Sequence, residues 1–333
     1  MNTAGPLVDS YGRVHTDLRI SVTDRCNIRC FYCMPAEGVQ FRSHAEILSF
    51  EEIERFAEVA TRLGIRKLRL TGGEPLVRKH VPRLVEKLAA VPGIDDLAMT
   101  TNGILLGEYA ESLKAAGLGR LNISLDTLDP NIFRRIARSD GLPQVLEGIE
   151  AARRAGFQRI KLNALAIRDL TEDAIVPLAR FAREHQLELR FIEFMPVDGD
   201  QQWNRDRVLS GKEILDVLSR SIGPLEAVLP SGPRAAATEY RFRDGGAPVG
   251  MICSVTEPFC DHCNRLRLTA DGKIRNCLFS TQQWDVRALL RGGGTPQQLA
   301  HMVRAAVGAK KKAHGTDEGE FARYDRPMHQ IGG

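Results

Sequence analysis

Through the first two-thirds of the chain, short alternating runs of apolar and polar residues take turns with stretches where apolar residues recur every three or four positions. Leu18-Arg19-Ile20-Ser21-Val22-Thr23 alternates and predicts a strand. Ser49-Phe50-Glu51-Glu52 has the form of a capping box, with the serine three residues ahead of a glutamate. Ile53, Phe56, Ala60 and Leu63 then follow at helical spacing until Gly64 stops the helix. Residues 67–71 predict the next strand. The alternation goes on with a helix over 81–90, a strand over 97–101, a helix over 104–116 and a strand over 121–125. A helix from Pro143 to Ala155, a strand over 160–166, a helix over 174–185 and a strand over 187–194 complete it. Ser210-Gly211-Lys212-Glu213 is a second capping box, opening a helix to about Ser221.

About six strands alternating with helices argue for βαβ units and a parallel sheet, hence an α/β fold. A closed barrel needs eight strands over ~250 residues. The alternation ends near residue 222, so the expectation is an open, partial TIM-like barrel of about six βα units. Beyond it, Pro224, Pro230, Gly232 and Pro233 punctuate a linker. Tyr240-Arg241-Phe242-Arg243 and Met251-Ile252-Cys253-Ser254-Val255 follow. Ala270-Asp271-Gly272 joins 266–269 to 273–277 as a hairpin, and two late helices cover 284–290 and 296–312. This predicts a barrel domain over 12–228 and a smaller, partly antiparallel C-terminal domain over 229–333.

Strand side chains alternate faces, and on almost every predicted strand one face is polar. Arg19, Ser21 and Thr23 share a face, as do Lys67, Arg69 and Thr71. Asn122, Ser124 and Asp126 form another set; Thr100 pairs with Asn102, Lys161 with Asn163, and Arg190 stands between Leu189 and Phe191. Closed barrels fill this face with Val, Ile and Leu. Directed inward, Arg19, Lys67, Arg69, Lys161 and Arg190 imply a wet cavity and an anionic ligand, because unpartnered buried cations are costly. The other reading turns that face outward, toward solvent or helix salt bridges. Parallel sheets seldom leave a face to solvent.

With 43% hydrophobic and 26% charged residues, the 333-residue chain has the composition of an ordinary globular protein rather than a disordered one. A formal charge of +4 does not argue for nucleic acid. The opening residues carry Pro6 and Asp9 and no signal-peptide core, and no run approaches the ~20 apolar residues of a membrane span. A cytoplasmic protein without nucleic-acid or membrane partners is expected. Neither a fixed-period repeat nor a low-complexity tract is present.

Seven cysteines change the picture. Cys26, Cys30 and Cys33 follow the first strand, three residues separating the first pair and two the second. Three thiolates can hold three irons of a 4Fe–4S cubane, leaving one iron open to a non-protein ligand. Zinc and a disulfide are the bland alternatives. Structural zinc wants four ligands, and His15 and His44 lie well outside the group. An even disulfide framework is unexpected with seven cysteines and no secretory segment. A second set, Cys260-Asp261-His262-Cys263 and, thirteen residues on, Cys277, leaves zinc and iron–sulfur both open on spacing, with His262 or Cys253 available as a fourth ligand. Arg265 and Arg267 follow at strand spacing and point the same way. Cys253 reads as a small apolar residue.

The first cysteine set, with Tyr32 ahead of its last member, and Thr71-Gly72-Gly73-Glu74-Pro75 resemble the two signatures of the radical S-adenosylmethionine superfamily. With the second set, the arginine pair and the ending Gln330-Ile331-Gly332-Gly333, the chain resembles the GTP 3′,8-cyclase family of molybdenum cofactor biosynthesis (MoaA family) from Arg19 to the tail. The resemblance implies two 4Fe–4S clusters, on Cys26, Cys30 and Cys33 and on Cys260, Cys263 and Cys277. It implies S-adenosylmethionine contacts at Tyr32, Gly73, Ser124 and Met195. It implies GTP contacts at Arg19, Lys67, Arg69, Thr100, Lys161, Arg190, Arg265 and Arg267. Arg265, Arg267 and the tail Gly332-Gly333 are implied in catalysis. The implied reaction starts with removal of the ribose C3′ hydrogen of GTP by a deoxyadenosyl radical. The C3′ radical then adds to guanine C8, giving 3′,8-cyclo-7,8-dihydro-GTP. An electron donor, the next enzyme of the pathway and a homodimer are the partners the resemblance implies.

Two other functions are weighed on the residues. A radical enzyme modifying a peptide would not call for the barrel cations. A zinc protein binding RNA would interleave aromatics with its basic residues, and aromatics make up only 6% of this chain.

Overall fold

The structure, a computed structural model, describes residues 5–197, 200, 202–229, 236–314 and 326–332. Its first part runs β1 (Asp17–Ser21), α1 (Phe50–Arg62), β2 (Lys67–Thr71), α2 (Val81–Ala89), β3 (Asp96–Thr101), α3 (Leu106–Ala115), β4 (Arg120–Ser124), α4 (Pro130–Ala137), α5 (Leu142–Arg154), β5 (Ile160–Ala166), α6 (Ile175–Glu184), β6 (Glu188–Glu193) and α7 (Gly211–Ser221). The rest runs β7 (Leu225–Val228), β8 (Thr238–Phe242), β9 (Val249–Ile252), β10 (Arg265–Leu268), β11 (Lys273–Arg275), β12 (Trp284–Asp285), α8 (Val286–Arg291), α9 (Pro296–Gly308) and α10 (Met328–Ile331). Both predicted capping boxes form. Glu52 N donates to Ser49 Oγ at 3.1 Å and Ser49 N to the Glu52 carboxylate at 2.7 Å. The Ser210–Glu213 pair repeats this at 3.3 and 3.0 Å.

Strands β1 to β6 lie side by side in chain order, all parallel, so the six-unit barrel expected from the sequence is present. The C-terminal strands extend this sheet at both edges. Strand β10 pairs in parallel with β1, and β9 in parallel with β6, while β10–β11–β12 and β9–β8–β7 are antiparallel. The result is one open sheet of twelve strands with β12 and β7 at its edges. The predicted division at 228/229 falls between β7 and β8, which pair with each other. It divides the chain and not the sheet.

Four of these elements escape the sequence reading: β12 (Trp284–Asp285), where the sequence predicts the start of a helix, the short α10 (Met328–Ile331), and β7 and α4. Strand β7 occupies 225–228, where Pro224 suggested only a linker. Helix α4 fills 130–137, its Asp129 carboxylate accepting from Asn131 N at 2.7 Å and Ile132 N at 3.1 Å, with Pro130 in the first turn.

The core lies between sheet and helices. Leu18, Ile20, Leu68, Leu70, Leu121, Ile123, Leu162 and Leu189 are fully or almost fully buried in one cluster with Phe56, Leu84, Leu113, Val145 and Leu178 from the helices. Each such leucine withdrawn from water contributes roughly 1.5–3 kcal/mol. Alternation then sends the intervening polar residues to the other face, into the lumen.

Candidate functional site: a cavity between two cysteine sets

Backbone hydrogen bonds zip the C-terminal ends of β1 and β2 together and throw the first cysteine loop over them. Val22 N donates to Thr71 O at 2.9 Å, Gly73 N to Thr23 O at 2.7 Å and Glu74 N to Arg25 O at 2.8 Å. This approach requires glycine: a Cβ on Gly73 would stand 2.3 Å from Arg25 O, and one on Gly72 2.8 Å from Thr23 O. Beyond it, Cys33 N and Met34 N both donate to Cys30 O at 2.9 Å. The loop leans on α4, through Arg29 N to Ala137 O at 3.0 Å and Phe31 N to Ile136 O at 3.1 Å. The helix missed from sequence is therefore a support of the cysteine loop.

Burial raises the thiol of Cys26 to about 11 and that of Cys33 to about 12, the Cys26 charge adding to the second. Cys30 is raised by burial and then by Asp126, Cys33 and Cys26. Three thiols near enough to oppose one another's ionisation suit a site where a bound metal's positive charge would stabilise the thiolates and drive their protons into solvent. Tyr32 donates its hydroxyl to Asp126 at 2.8 Å. Burial brings the Glu74 carboxyl up to about 7 even though Asn102 N, Leu76 N and the Thr101 hydroxyl donate to it.

The second set rises from the start of β10. Cys263 N donates to Cys260 O at 3.1 Å, and Cys277 follows β11. Burial alone would raise the Cys263 thiol; the Arg265 and Lys310 charges overcome it and bring the thiol down to about 6. Lys310, buried after α9, reaches Cys263 Sγ at 3.4 Å and Arg265 O at 2.9 Å. Arg13 donates at 2.7 Å to the carbonyls of Cys260, Lys311 and Lys312, and is held by the Asp9 carboxylate at 2.6 Å. None of these helpers belongs to a sequence motif. Lys310 and Arg13 lie far from the cysteines along the chain, and only packing reveals them.

Between the two sets lies a single cavity of about 1010 Å³, lined by all six cysteines. Arg19, Lys67, Arg69, Thr100, Lys161, Arg190, Arg265 and Arg267 line it, as do Tyr32, Gly73, Ser124 and Met195. The polar strand face is thus the inner one. Parallel register puts Arg267, Arg19 and Arg69 directly beside one another on β10, β1 and β2, on strands about 4.8 Å apart. Burial first, then Arg267 and Arg69, pushes the Arg19 guanidinium well below its ordinary value. Burial also takes Arg69 and Arg267 to about 10. Such a row attracts an anion with several acceptor oxygens.

Lys161 and Arg190 differ from the sequence expectation of uncompensated cations. Lys161 Nζ is 2.5 Å from Glu188, and Arg190 is 2.6 Å from Glu188 and 3.2 Å from Glu239. Glu188 alternates onto the lumen face of β6 with Arg190, and its carboxylate bridges the two cations. Cys253 lies apart from the cavity, its sulfur against Gly211. Near the tail, Ile331 and His329 are buried and Arg267 Nη1 donates to Gly332 O at 2.6 Å. Gly332 has φ +74°, and a Cβ there would stand 3.2 Å from Thr71 Oγ1. Gly333 lies outside the described residues.

Residues 20–182 match the Radical SAM superfamily, and residues 187–316 match Molybdenum Cofactor Synthesis C. The chain is 50% identical to the GTP 3′,8-cyclase of Rhodopirellula baltica, covering 98% of this chain and 92% of that one. It is 46% identical to the protein of the same name from Streptomyces coelicolor, covering 98% and 96%. Among solved structures, Streptococcus suis SuiB bound to S-adenosylmethionine superposes with a TM-score of 0.63 at 14% identity, over 89% of this chain and 69% of that one. Methylornithine synthase gives 0.51 at 17% identity, over 62% of each. These two likenesses concern the fold.

Proposed function

The chain belongs to the GTP 3′,8-cyclase family of radical SAM enzymes, and from that premise we propose that its cavity converts GTP to 3′,8-cyclo-7,8-dihydro-GTP, the first step of molybdenum cofactor biosynthesis. The observation that carries the reading is the row Arg267–Arg19–Arg69 in a cavity shared by two separate cysteine triplets. Each triplet is a soft donor set one ligand short of closing a metal site, which fits a 4Fe–4S cluster with an open iron. Cys26, Cys30 and Cys33 would hold one such cluster, which together with bound S-adenosylmethionine would supply a carbon-centred radical able to take a hydrogen atom from the ribose.

The residues of the chain hold and exclude. Tyr32, Gly73, Ser124 and Met195 surround S-adenosylmethionine, with Glu74 behind the glycines. Arg19, Lys67, Arg69, Thr100, Lys161, Arg190, Arg265 and Arg267 hold GTP, the guanidinium row taking the triphosphate. Cys260, Cys263 and Cys277 would hold a second cluster in the same cavity. Positioning of reactants in a closed, cation-lined space is the protein's contribution to the rate. An external electron donor, delivery of product to the next enzyme of the pathway and a homodimer belong to the same reading. Among the described residues no helix is long and apolar enough to cross a membrane.

Anaerobic purification with metal analysis is the test. About eight irons per chain, with cyclised product from GTP, supports the reading; about two zincs per chain overturns it.

Arg69→Ala is expected to weaken GTP binding by about tenfold or more, since one charge-assisted hydrogen bond contributes roughly 1.5–3 kcal/mol. Binding of S-adenosylmethionine should stay nearly unchanged, and anaerobic titration with both ligands checks it. A chain ending at Ile331 is expected to lose turnover more than GTP affinity, because Arg267 loses the Gly332 carbonyl while the guanidinium row stays. Product assays beside GTP titration read this; full turnover would make the glycines a mere end.

A further inference from the structure

Five carboxylates line the cavity: Asp17, Glu74, Asp96, Asp126 and Glu239. Four of them have donors. Glu74 accepts from Leu76 N, Asn102 N and the Thr101 hydroxyl, and Asp126 from Leu165 N and the Tyr32 hydroxyl. Asp96 accepts from Arg120, and Glu239 from Arg190. Asp17 has no donor among the described residues, and its Oδ1 is a buried acceptor left without a hydrogen bond. Its neighbours in register are both cations, Arg265 on β10 and Lys67 on β2, and neither pairs with it. A buried acceptor left bare costs free energy, and a ligand donor would remove that cost.

The position of Asp17 narrows which donor this is. The first cysteine loop leaves the C-terminal end of β1, whereas Asp17 opens that strand, about 13 Å from Ser21 at its other end. The second cysteine set lies beside it: Asn264 O, next to Cys263, accepts from Asp17 N at 3.3 Å. A ribose attacked near the first set leaves the base and the triphosphate to extend toward the start of β1. A carboxylate repels phosphate, and the neighbouring guanidinium row serves that group. The Asp17 charge also favours the charged forms of Arg19, Arg69 and Arg265, so it stands among three cations, where a metal ion is disfavoured. The base remains. Guanine carries N1–H and a 2-amino group side by side, a donor pair that matches the two oxygens of one carboxylate. Adenine has a bare ring nitrogen and a C–H there, and would leave the carboxylate unpaired.

We propose that Asp17 selects the base, its carboxylate accepting hydrogen bonds from the N1–H and 2-amino groups of guanine. The proposal deepens the reading of the cavity as a GTP site and rests on it.

The test is equilibrium binding to the anaerobically purified holoenzyme, without reductant, of three nucleotides. They are GTP, inosine triphosphate, which lacks the 2-amino group, and 2′-deoxy-GTP. Wild type should bind GTP about tenfold or more tightly than inosine triphosphate, the size of one charge-assisted hydrogen bond. In Asp17→Asn the amide keeps one acceptor and sets a donor against the other N–H, so that ratio should fall close to one. Binding of S-adenosylmethionine and iron content should match wild type, which shows the variant folded. Equal weakening of GTP and inosine triphosphate, as from a carboxylate that merely arranges Arg19 or Arg265, overturns the proposal. So does a collapse of the ratio between GTP and 2′-deoxy-GTP in its place, which would put Asp17 on the ribose. Wild type binding inosine triphosphate as tightly as GTP overturns it whatever the variant does. A wild-type enzyme that binds no GTP overturns instead the reading on which the proposal rests.

Discussion

Cys30→Ala is expected to abolish reductive cleavage of S-adenosylmethionine, a loss on the order of a thousandfold or more, equivalent to ~4 kcal/mol in the barrier. The substitution is informative because it removes a ligand and little else. The turn is made by the backbone: Cys30 O accepts from Cys33 N and Met34 N, and alanine offers the same carbonyl. The loop's seat on α4, through Arg29 N and Phe31 N, is also main-chain. Loss of activity with an intact fold then isolates the thiolate. Iron content should fall from about eight toward about four per chain, since one cubane loses its third anchor while the other is untouched. Circular dichroism would show the fold retained, and 5′-deoxyadenosine would be counted by chromatography. Normal cleavage by an anaerobically prepared variant would remove Cys30 from the site.

Much of this was legible in the chain because the signals are local. Capping boxes and alternating strands each occupy a few consecutive residues and form where the sequence puts them, and the two cysteine sets each lie within one short reach of chain, 26–33 and 260–277. The inward turn of Arg19, Lys67, Arg69, Lys161 and Arg190 was legible from alternation together with the rule that parallel sheets are covered on both faces. What stayed hidden is long-range. No local pattern announces that Arg267 will stand in register with Arg19, because β10 and β1 are brought together by the whole barrel. Glu188 was in view, two residues from Arg190, yet its bridge to Lys161 depends on the pairing of β5 with β6. Lys310 and His314 follow a helix that reads as an ordinary amphipathic packing element, and their contacts with Cys263 and Cys260 exist only once α9 has docked.

Cys263→Ala is expected to separate the two cysteine sets by function: product formation should fall on the order of a hundredfold or more, ~3 kcal/mol, while cleavage of S-adenosylmethionine stays within roughly tenfold of wild type. Cys263 is the thiol that its surroundings prepare for metal. The charges of Arg265 and Lys310 outweigh burial and bring it down to about 6, which favours the thiolate that binds metal. Removing it leaves those two cations beside a two-cysteine remnant that cannot anchor a cubane. The first set lies across the cavity on a loop held by β2 and α4, and among the described residues its hydrogen bonds do not run to Cys263. Radical generation should therefore continue without productive placement of the base. The measurement is 5′-deoxyadenosine and cyclised product counted from the same anaerobic reaction, with GTP affinity by titration alongside. Arg265 and Arg267 remain in the variant, so triphosphate binding should survive in part and the defect should fall mainly on turnover. A variant that makes product at the wild-type rate would reduce the second set to a structural support.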